Sequence, residues 1–225
     1  MSFDPGRRSK LTHRDLPRFG DDTLFHRAAR EVCESECLPR KELFEAWEVA
    51  RRTRRRFRGG RVIDMACGHG LLAQLLLLLD DSSPNALAID ARLPSSAHHL
   101  NQRFARAWPR LAGRVELVQG DLSSVALNSS DLLVSCHACG SLTDLVLSRA
   151  ITAGARVVVL PCCHEKLGND QGGLGGWLDP ALAIDVTRAA RLRGHGYRVH
   201  TQAIPAEITP KNRLLLGEPG TATEP

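Results

Sequence analysis

From Arg61 onward the chain alternates short apolar runs with longer stretches in which apolar residues recur every three or four positions. Short apolar runs bounded by turn residues read as buried strands, and the longer period reads as amphipathic helix. The pattern predicts strands over 61–65, 86–90, 114–119, 131–135, 155–160, 197–204 and 213–217. It predicts helices over 71–79, 95–108, 141–151 and 180–194. Apolar strands separated by helices imply an α/β fold, a mostly parallel seven-stranded sheet with helices on both faces.

Before Arg61 the periodicity is helical only. Leu24, Phe25, Ala28, Ala29 and Val32 share one face of a helix that Asp21 or Asp22 can cap and that runs to Cys37. Pro39 interrupts. Leu43, Phe44, Trp47 and Ala50 then share a face of a second helix over 40–56, ended by Gly59 and Gly60. This pair is expected beside or over the ligand cleft. Residues 1–20, with Pro5, Gly6 and Pro17, read as a loose arm. The expected division is an N-terminal arm and helical extension over 1–58, an α/β domain over 59–219 and a disordered tail over 220–225.

A length of 225 residues suits one domain. The apolar run Leu71 to Leu79 is too short to span a bilayer, and the first ten residues lack the apolar segment of a signal peptide. The seven cysteines are odd in number and two are adjacent, which does not describe a secreted disulfide framework. A soluble, cytoplasmic protein is expected, with no membrane partner. The net charge of +5 is uneven: residues 1–61 hold sixteen Lys/Arg against ten Asp/Glu, the rest fourteen against fifteen. The block Arg51, Arg52, Arg54, Arg55, Arg56, Arg58 and Arg61 is either a phosphate-binding patch for RNA or a solvated helix end. DNA is not expected as a partner, and the sequence assigns no oligomeric one.

The densest chemical signal is Val62-Ile63-Asp64-Met65-Ala66-Cys67-Gly68-His69-Gly70. A strand ends in an acid, a glycine turn follows, and a helix begins. In open α/β sheets ligands lie outside the carboxyl ends of the strands. Ala66, Gly68 and Gly70 then form the turn that approaches a ligand, and Asp64 holds the turn or reaches a ligand amine. Asp90, ending the second strand, can accept from ribose hydroxyls. Asp121, after the third, can meet an adenine amino group while Leu122 covers the ring. Cys136, after the fourth, completes this candidate cofactor set. Dinucleotide enzymes use a related G-x-G-x-x-G turn, whose third glycine is Ala73 here. Three acids on three successive strand ends suit S-adenosylmethionine better.

With these residues the chain resembles the class I methyltransferases. More narrowly, His137-Ala138-Cys139-Gly140 followed by Asp144, and Pro161-Cys162-Cys163-His164, resemble a family with His-x-Cys-Gly and Cys-Cys-His motifs. That family includes tRNA acceptor-stem ribose methyltransferases and methyltransferase-like proteins. Ile208-Thr209-Pro210-Lys211-Asn212-Arg213 resembles its C-terminal segment, and Pro39-Arg40-Lys41 its Pro-Lys-Lys motif, with Glu42 or Glu45 as the acid that follows. The resemblance covers residues 39–217. No separate zinc-finger module of the tRNA enzymes is visible. The resemblance implies a Rossmann-like fold, S-adenosylmethionine as cofactor and RNA, tRNA or rRNA, as substrate.

The loops after the fourth and fifth strands would gather His137, Cys139, Asp144, Cys162, Cys163 and His164 beside the methyl-transfer zone. Methylating a hydroxyl needs a proton acceptor, for which His137 is the first candidate and His164 the second. Lys41 could orient a phosphate or act on the hydroxyl, and Asp144 joins this candidate catalytic set. Both histidines could equally tie loops together. A zinc site is disfavoured, because Cys136-x-x-Cys139 is short and solitary and Cys162 and Cys163 point apart if extended. No metal is expected. Covalent catalysis by Cys162 is a further, weaker reading. The glycines from 168 to 176 read as a loop over the mouth anchored by Trp177, without P-loop chemistry. The alternatives to an RNA methyltransferase are a small-molecule or protein methyltransferase, or a non-catalytic S-adenosylmethionine-binding protein assisting an RNA complex.

Overall fold

The computed structural model describes residues 4–136, 138–161, 164 and 169–220. Helix α1 (Leu24–Ser35) and α2 (Arg40–Arg56) precede β1 (Val62–Met65), α3 (Leu71–Leu79), β2 (Ala86–Asp90), α4 (Ser96–Ala107) and β3 (Val115–Gln119). Then follow β4 (Leu132–Ser135), α5 (Ser141–Ala153), β5 (Arg156–Val159), α6 (Pro180–Gly194), β6 (Tyr197–Ala203) and β7 (Arg213–Pro219). The sheet order is β3-β2-β1-β4-β5-β7-β6. All pairings are parallel except those of β7, which runs antiparallel between β5 and β6. The strand order reverses between β1 and β4, and in such sheets the reversal opens the ligand crevice.

Successive strand residues face opposite sides, and each side has its own core. Val62, Ala88, Leu132, Val134 and Val158 pack under the helices α1 to α4. Ile63, Met65, Leu133, Val157 and Val159 pack under α5 and α6, with Leu147 and Leu192 above them. The helical extension is therefore part of one face of the α/β body: Val32, Leu43 and Val49 share a core with Leu75 and Leu100.

Two local expectations change. Helix α1 starts later and ends earlier than its periodicity suggests. The Thr23 hydroxyl accepts from the His26 amide at 3.3 Å and caps it, leaving Asp21 and Asp22 outside and exposed. Glu36, at φ 49°, turns the chain left-handed before Cys37. The arm is also ordered rather than loose. Helix α2 begins after Pro39, which has no side-chain oxygen to cap it. The arm supplies the acceptors: the Ser9 carbonyl takes the Arg40 amide at 3.0 Å and the Arg7 carbonyl takes the Lys41 amide at 3.1 Å. The first amides of any helix need such partners. Leu11 and Phe19 complete the anchoring by burying in the core.

The arginine block lies at the far end of α2 from the glycine turn, and most of it is engaged. Arg51 and Arg52 pair with Glu48, Arg56 with Glu218, Arg58 with Asp80 and Arg61 with Asp131. Arg54 is 5 % exposed and donates to the Leu76 carbonyl at 3.0 Å and the Ser83 hydroxyl at 2.9 Å, locking α2 to the end of α3. Burial lowers its pKa to about 10, so it stays charged at neutral pH. Trp177 is 88 % exposed and so anchors nothing by packing. No helix of the described residues is long and apolar enough to cross a membrane.

Hydrogen bonds from a charged donor contribute about 1.5–3 kcal/mol each, so Arg54→Ala is expected to destabilise the fold by at least about 2 kcal/mol, while exposed Arg55→Ala stays within about 0.5 kcal/mol. Denaturant unfolding of the two variants checks this. Equal stabilities would remove the structural role of Arg54.

Candidate active site

The turn after β1 is held by two carboxylates. Asp64, at the core of the sheet, accepts from the Ala73 amide at 3.2 Å, which fixes the first turn of α3 against the strand. Asp90, at the end of β2, accepts from the Gly68 amide and the Arg92 amide, each at 2.9 Å. Between them the backbone is bent hard. Ala66 takes φ 56°, a left-handed conformation that a non-glycine residue adopts at an energetic penalty. The two glycines answer different needs. Gly70, at φ 70°, would press an added Cβ to 2.8 Å from Leu117 and 3.4 Å from Ala88, so it permits helix and sheet to close up. Gly68, at φ 54°, has nothing of the protein within 4 Å of that position, which leaves its backbone open to a ligand.

Asp121 and Leu122 follow β3 at the same sheet end. Asp121 is exposed, caps a short turn by accepting from the Ser123 amide at 2.9 Å, and is held below its ordinary pKa by Ser123. Leu122 is buried in the second core beside Ile89. Asp90 has lone pairs left beyond its two amide contacts. The set of an acid with free acceptor capacity at β2, an exposed acid at β3 and an open glycine backbone at β1 fits the ribose, adenine and amino-acid parts of S-adenosylmethionine.

The start of α2 faces the other side of this turn. Glu42, Leu38 and Ala46 line a small crevice with Cys67, His69, Leu72 and Cys136. Burial, then Glu45, raise the Glu42 pKa. Lys41 pairs with Glu45 at 2.5 Å. Burial, then Lys10, lower the pKa of His69, so the arm reaches the glycine turn.

The remaining motif residues meet on α6. Arg188 grips Asp144 through Nε at 3.0 Å and Nη2 at 2.7 Å, and Nη2 also reaches the Gly140 carbonyl at 2.9 Å. One turn earlier, Asp185 accepts from Arg213 Nε at 2.7 Å, and its other oxygen lies 2.7 Å from His164 Nε2. Arg188 Nη1 lies 3.7 Å from that same oxygen. Asp185 and Arg188 thus tie together Gly140 and the start of α5 at Asp144, His164 after β5, and Arg213 at the start of β7. Sequence reasoning missed both α6 residues. Their signal was faint: two opposite charges at i and i+3 in a helix whose neighbours are Ala183, Ile184 and Leu192. A cavity of about 470 Å³ opens beside Asp185 and Arg213, between α6 and the β6–β7 pair, with Pro161, Leu182, Val186 and Leu215 among its mostly apolar walls. His137, Cys162 and Cys163 lie outside the described residues. Among the described residues no group of three His, Cys, Asp or Glu side chains could hold a metal ion.

Complete burial raises the Asp64 pKa from 3.8 to about 8, with Asp90 adding to the rise and the Ala73 amide opposing it. Over that window the folded chain keeps a proton that the unfolded chain has released. Its stabilisation is complete below the ordinary carboxylate range and is lost as pH climbs toward the folded value. The melting temperature of the wild type is expected to fall between about pH 5 and about pH 8, and that of Asp64→Asn to fall less. Parallel declines in the two proteins would refute the assignment.

The sequence matches the methyltransferase-domain family over residues 42–170, more than half of the chain. No curated protein matches it. Among solved structures, an O-methyltransferase family protein from Burkholderia thailandensis superposes with a TM-score of 0.51 at 17 % identity, covering 92 % of this chain and 63 % of that one. The m1A22 tRNA methyltransferase TrmK of B. subtilis gives 0.53 at 16 % identity, covering 78 % of this chain and 65 % of that one. The S-adenosylmethionine-dependent methyltransferase SibL gives 0.51 at 19 % identity over 96 % of this chain and 67 % of that one. The chain therefore spans less than two thirds of the length of the first two, and identities this low speak for the fold. The family match establishes that the chain belongs to the methyltransferase-domain family, and the solved structures share its fold.

Proposed function

We propose that the chain is an S-adenosylmethionine-dependent methyltransferase that acts on RNA, presented at the carboxyl end of the sheet. The observation that carries the reading is the position of the uncommitted positive charge. Arg7, Arg8 and Lys10 are exposed and have no ion pair among the described residues, whereas the Arg51–Arg61 block is largely engaged with acids. These three cations ride on the arm that caps α2 and passes beside the glycine turn. Phosphates attract such unpaired cations, and exposed Trp177, before α6, offers a face on which a base can stack. The His-x-Cys-Gly and Cys-Cys-His resemblance supports the same substrate class, and TrmK, similar in fold, is itself a tRNA enzyme. The arm replaces the Arg51–Arg61 block as the favoured RNA contact.

A second reading has its own observation. The cavity of about 470 Å³ between α6 and β6–β7 is of a size and apolarity that suit a small organic acceptor.

When bound, S-adenosylmethionine supplies a methyl group already activated by its positive sulfur. What the chain must do is hold, align and manage a proton. Asp90 would accept from the ribose hydroxyls while retaining the Gly68 amide, Asp121 and Leu122 would take the adenine, and Ala66, Gly68 and Gly70 would shape the backbone around the ligand. Asp64 and Cys136 close the floor of the site. Lys41, beside the turn, can orient an acceptor phosphate once Glu45 shares it.

Transfer of labelled methyl to RNA, protein and metabolite fractions decides between the two readings. Label in RNA is expected, and label confined to metabolites would overturn the RNA proposal. The triple replacement of Arg7, Arg8 and Lys10 by Ala is expected to weaken RNA binding and to lower the slope of log affinity against log salt by about 2, given about 0.7 per single-stranded phosphate contact. An unchanged salt slope would sink the arm as the contact. Asp90→Ala should weaken S-adenosylmethionine at least about tenfold by calorimetry, since it removes charged acceptors that each contribute about 1.5–3 kcal/mol. Undiminished affinity would remove Asp90 from the cofactor site.

A further inference from the structure

Among the described residues the imidazole of His164 is held from one side. Its side chain is 4 % exposed, Nε2 lies 2.7 Å from Asp185 Oδ1, and Nδ1 is buried with no hydrogen-bond partner among them. A buried polar atom left without a partner is destabilising and calls for an explanation. The carboxylate facing Nε2 can only accept, so the ring proton belongs on Nε2, and Nδ1 is left as a bare lone pair. Asp185 is in turn oriented by Arg213, which donates to its second oxygen at 2.7 Å. A second buried atom around the same carboxylate is also unpartnered: Arg188 Nη1, 3.7 Å from Asp185 Oδ1. One orphan accepts and the other donates, and a hydroxyl is a group that can satisfy both kinds.

We propose that Asp185 is a positioning residue that fixes His164 as the Nε2–H tautomer, so that Nδ1 is the atom that takes the proton from an acceptor hydroxyl. This rests on the methyl-transfer reading and holds for an RNA hydroxyl. In the step, the acceptor O–H bond breaks and its proton goes to Nδ1. The oxygen forms the new O–C bond, and the S–C bond to the methyl donor breaks with its electron pair staying on sulfur. The positive charge of the sulfonium is thereby exchanged for that of the imidazolium, and Asp185 stabilises it. Arg188, whose other nitrogen grips Asp144 and the Gly140 carbonyl, holds the loop after β4 in register with this pair. Among the described residues the charged groups around the imidazole are thus Asp185 and Arg188 from α6, Arg213 from β7 and, through Arg188, Asp144 from α5.

Asp185→Asn gives a sharp test. Arg213 Nε is a donor only, so the new amide must turn its carbonyl oxygen toward Arg213 and its NH2 toward His164. Nε2 then becomes an acceptor, and the ring proton moves to Nδ1. Nitrogen-detected NMR of the labelled full chain reads the tautomer without any acceptor present. The expected result is Nε2–H in the wild type and Nδ1–H in Asp185→Asn. Adding Arg213→Met frees the amide to rotate and should restore the Nε2–H signal in part. In RNA methyl transfer, Asp185→Asn should lower kcat by about 10²–10⁴-fold, the usual contribution of a general base, with S-adenosylmethionine affinity unchanged and the KM for RNA moved little. The double variant should recover part of kcat. Nδ1–H in the wild type overturns the proposal outright, and that result needs no variant to fold. The expected tautomers with an unchanged kcat in Asp185→Asn overturn it as well. Failure of the wild type to label RNA at all is a different result, and it counts against the substrate reading.

Discussion

The cleft depends on two carboxylates holding one turn of backbone. Asp64 pins the start of α3 through the Ala73 amide, and Asp90 pins the Gly68 amide from the neighbouring strand. Between those pins Ala66 is driven to positive φ, and Gly70 sits where an added Cβ would run into Leu117. The strain at Ala66 would not persist unless the surrounding structure over-determined it. The burial of Asp64 is part of the same constraint. Its pKa of about 8 means that the turn is held near neutrality by a group able to keep its proton. A cation bound above it would favour the ionised form, so ligand charge and proton occupancy at Asp64 are coupled.

Positive charge in this chain does two separate jobs. Arg54, Arg61, Arg156 and Arg188 are structural: each directs its guanidinium at backbone carbonyls or a buried acid and fastens one element to another. A planar fork with several donors suits that task. Arg7, Arg8 and Lys10 have no such partner among the described residues and sit where the arm passes the cofactor turn. A count of net charge sees both kinds as equal. The distinction lies in which arginines find carbonyl ends and acids within reach, and only the folded chain reveals that.

This explains what could be read in advance. The bounds of α2, α3, α6 and β2 follow from apolar periodicity interrupted by Pro39, Gly70, Asp80 and Pro180, and the folded chain has them where the pattern puts them. The strand-end acids Asp64 and Asp90 were legible because a strand fixes which residue emerges at its end. The ordered arm was not, because its anchoring is backbone to backbone: Ser9 and Arg7 cap α2 through carbonyls that every residue possesses. Thr23 outcompeted Asp21 and Asp22 as the cap through register, which periodicity fixes only to a residue or two. Asp185 and Arg188 escaped notice because a charged pair in a helix usually means a solvated face, and here the helix turns that face toward the ends of β5 and β7.

The two halves of the sheet consequently present different chemistry to the same cleft. On the β1–β2–β3 side, fixed backbone amides and strand-end acids line the cleft, an arrangement that would need little rearrangement to bind a polar cofactor. On the β4–β5–β7 side, the contacts are long side chains in an ionic network: Asp144 with Arg188, Asp185 with Arg213 and His164. Such a network is directional and partly satisfied, with Arg188 Nη1 and His164 Nδ1 lacking hydrogen bonds among the described residues. Partial satisfaction is unfavourable in a resting protein, because low dielectric makes every unmade bond expensive. It becomes an advantage where an acceptor group completes the network, since the missing partners then favour one orientation of that group. On the proposed reading, affinity for the methyl donor would rest on backbone geometry and control of the proton on α6, a helix outside the sequence motifs.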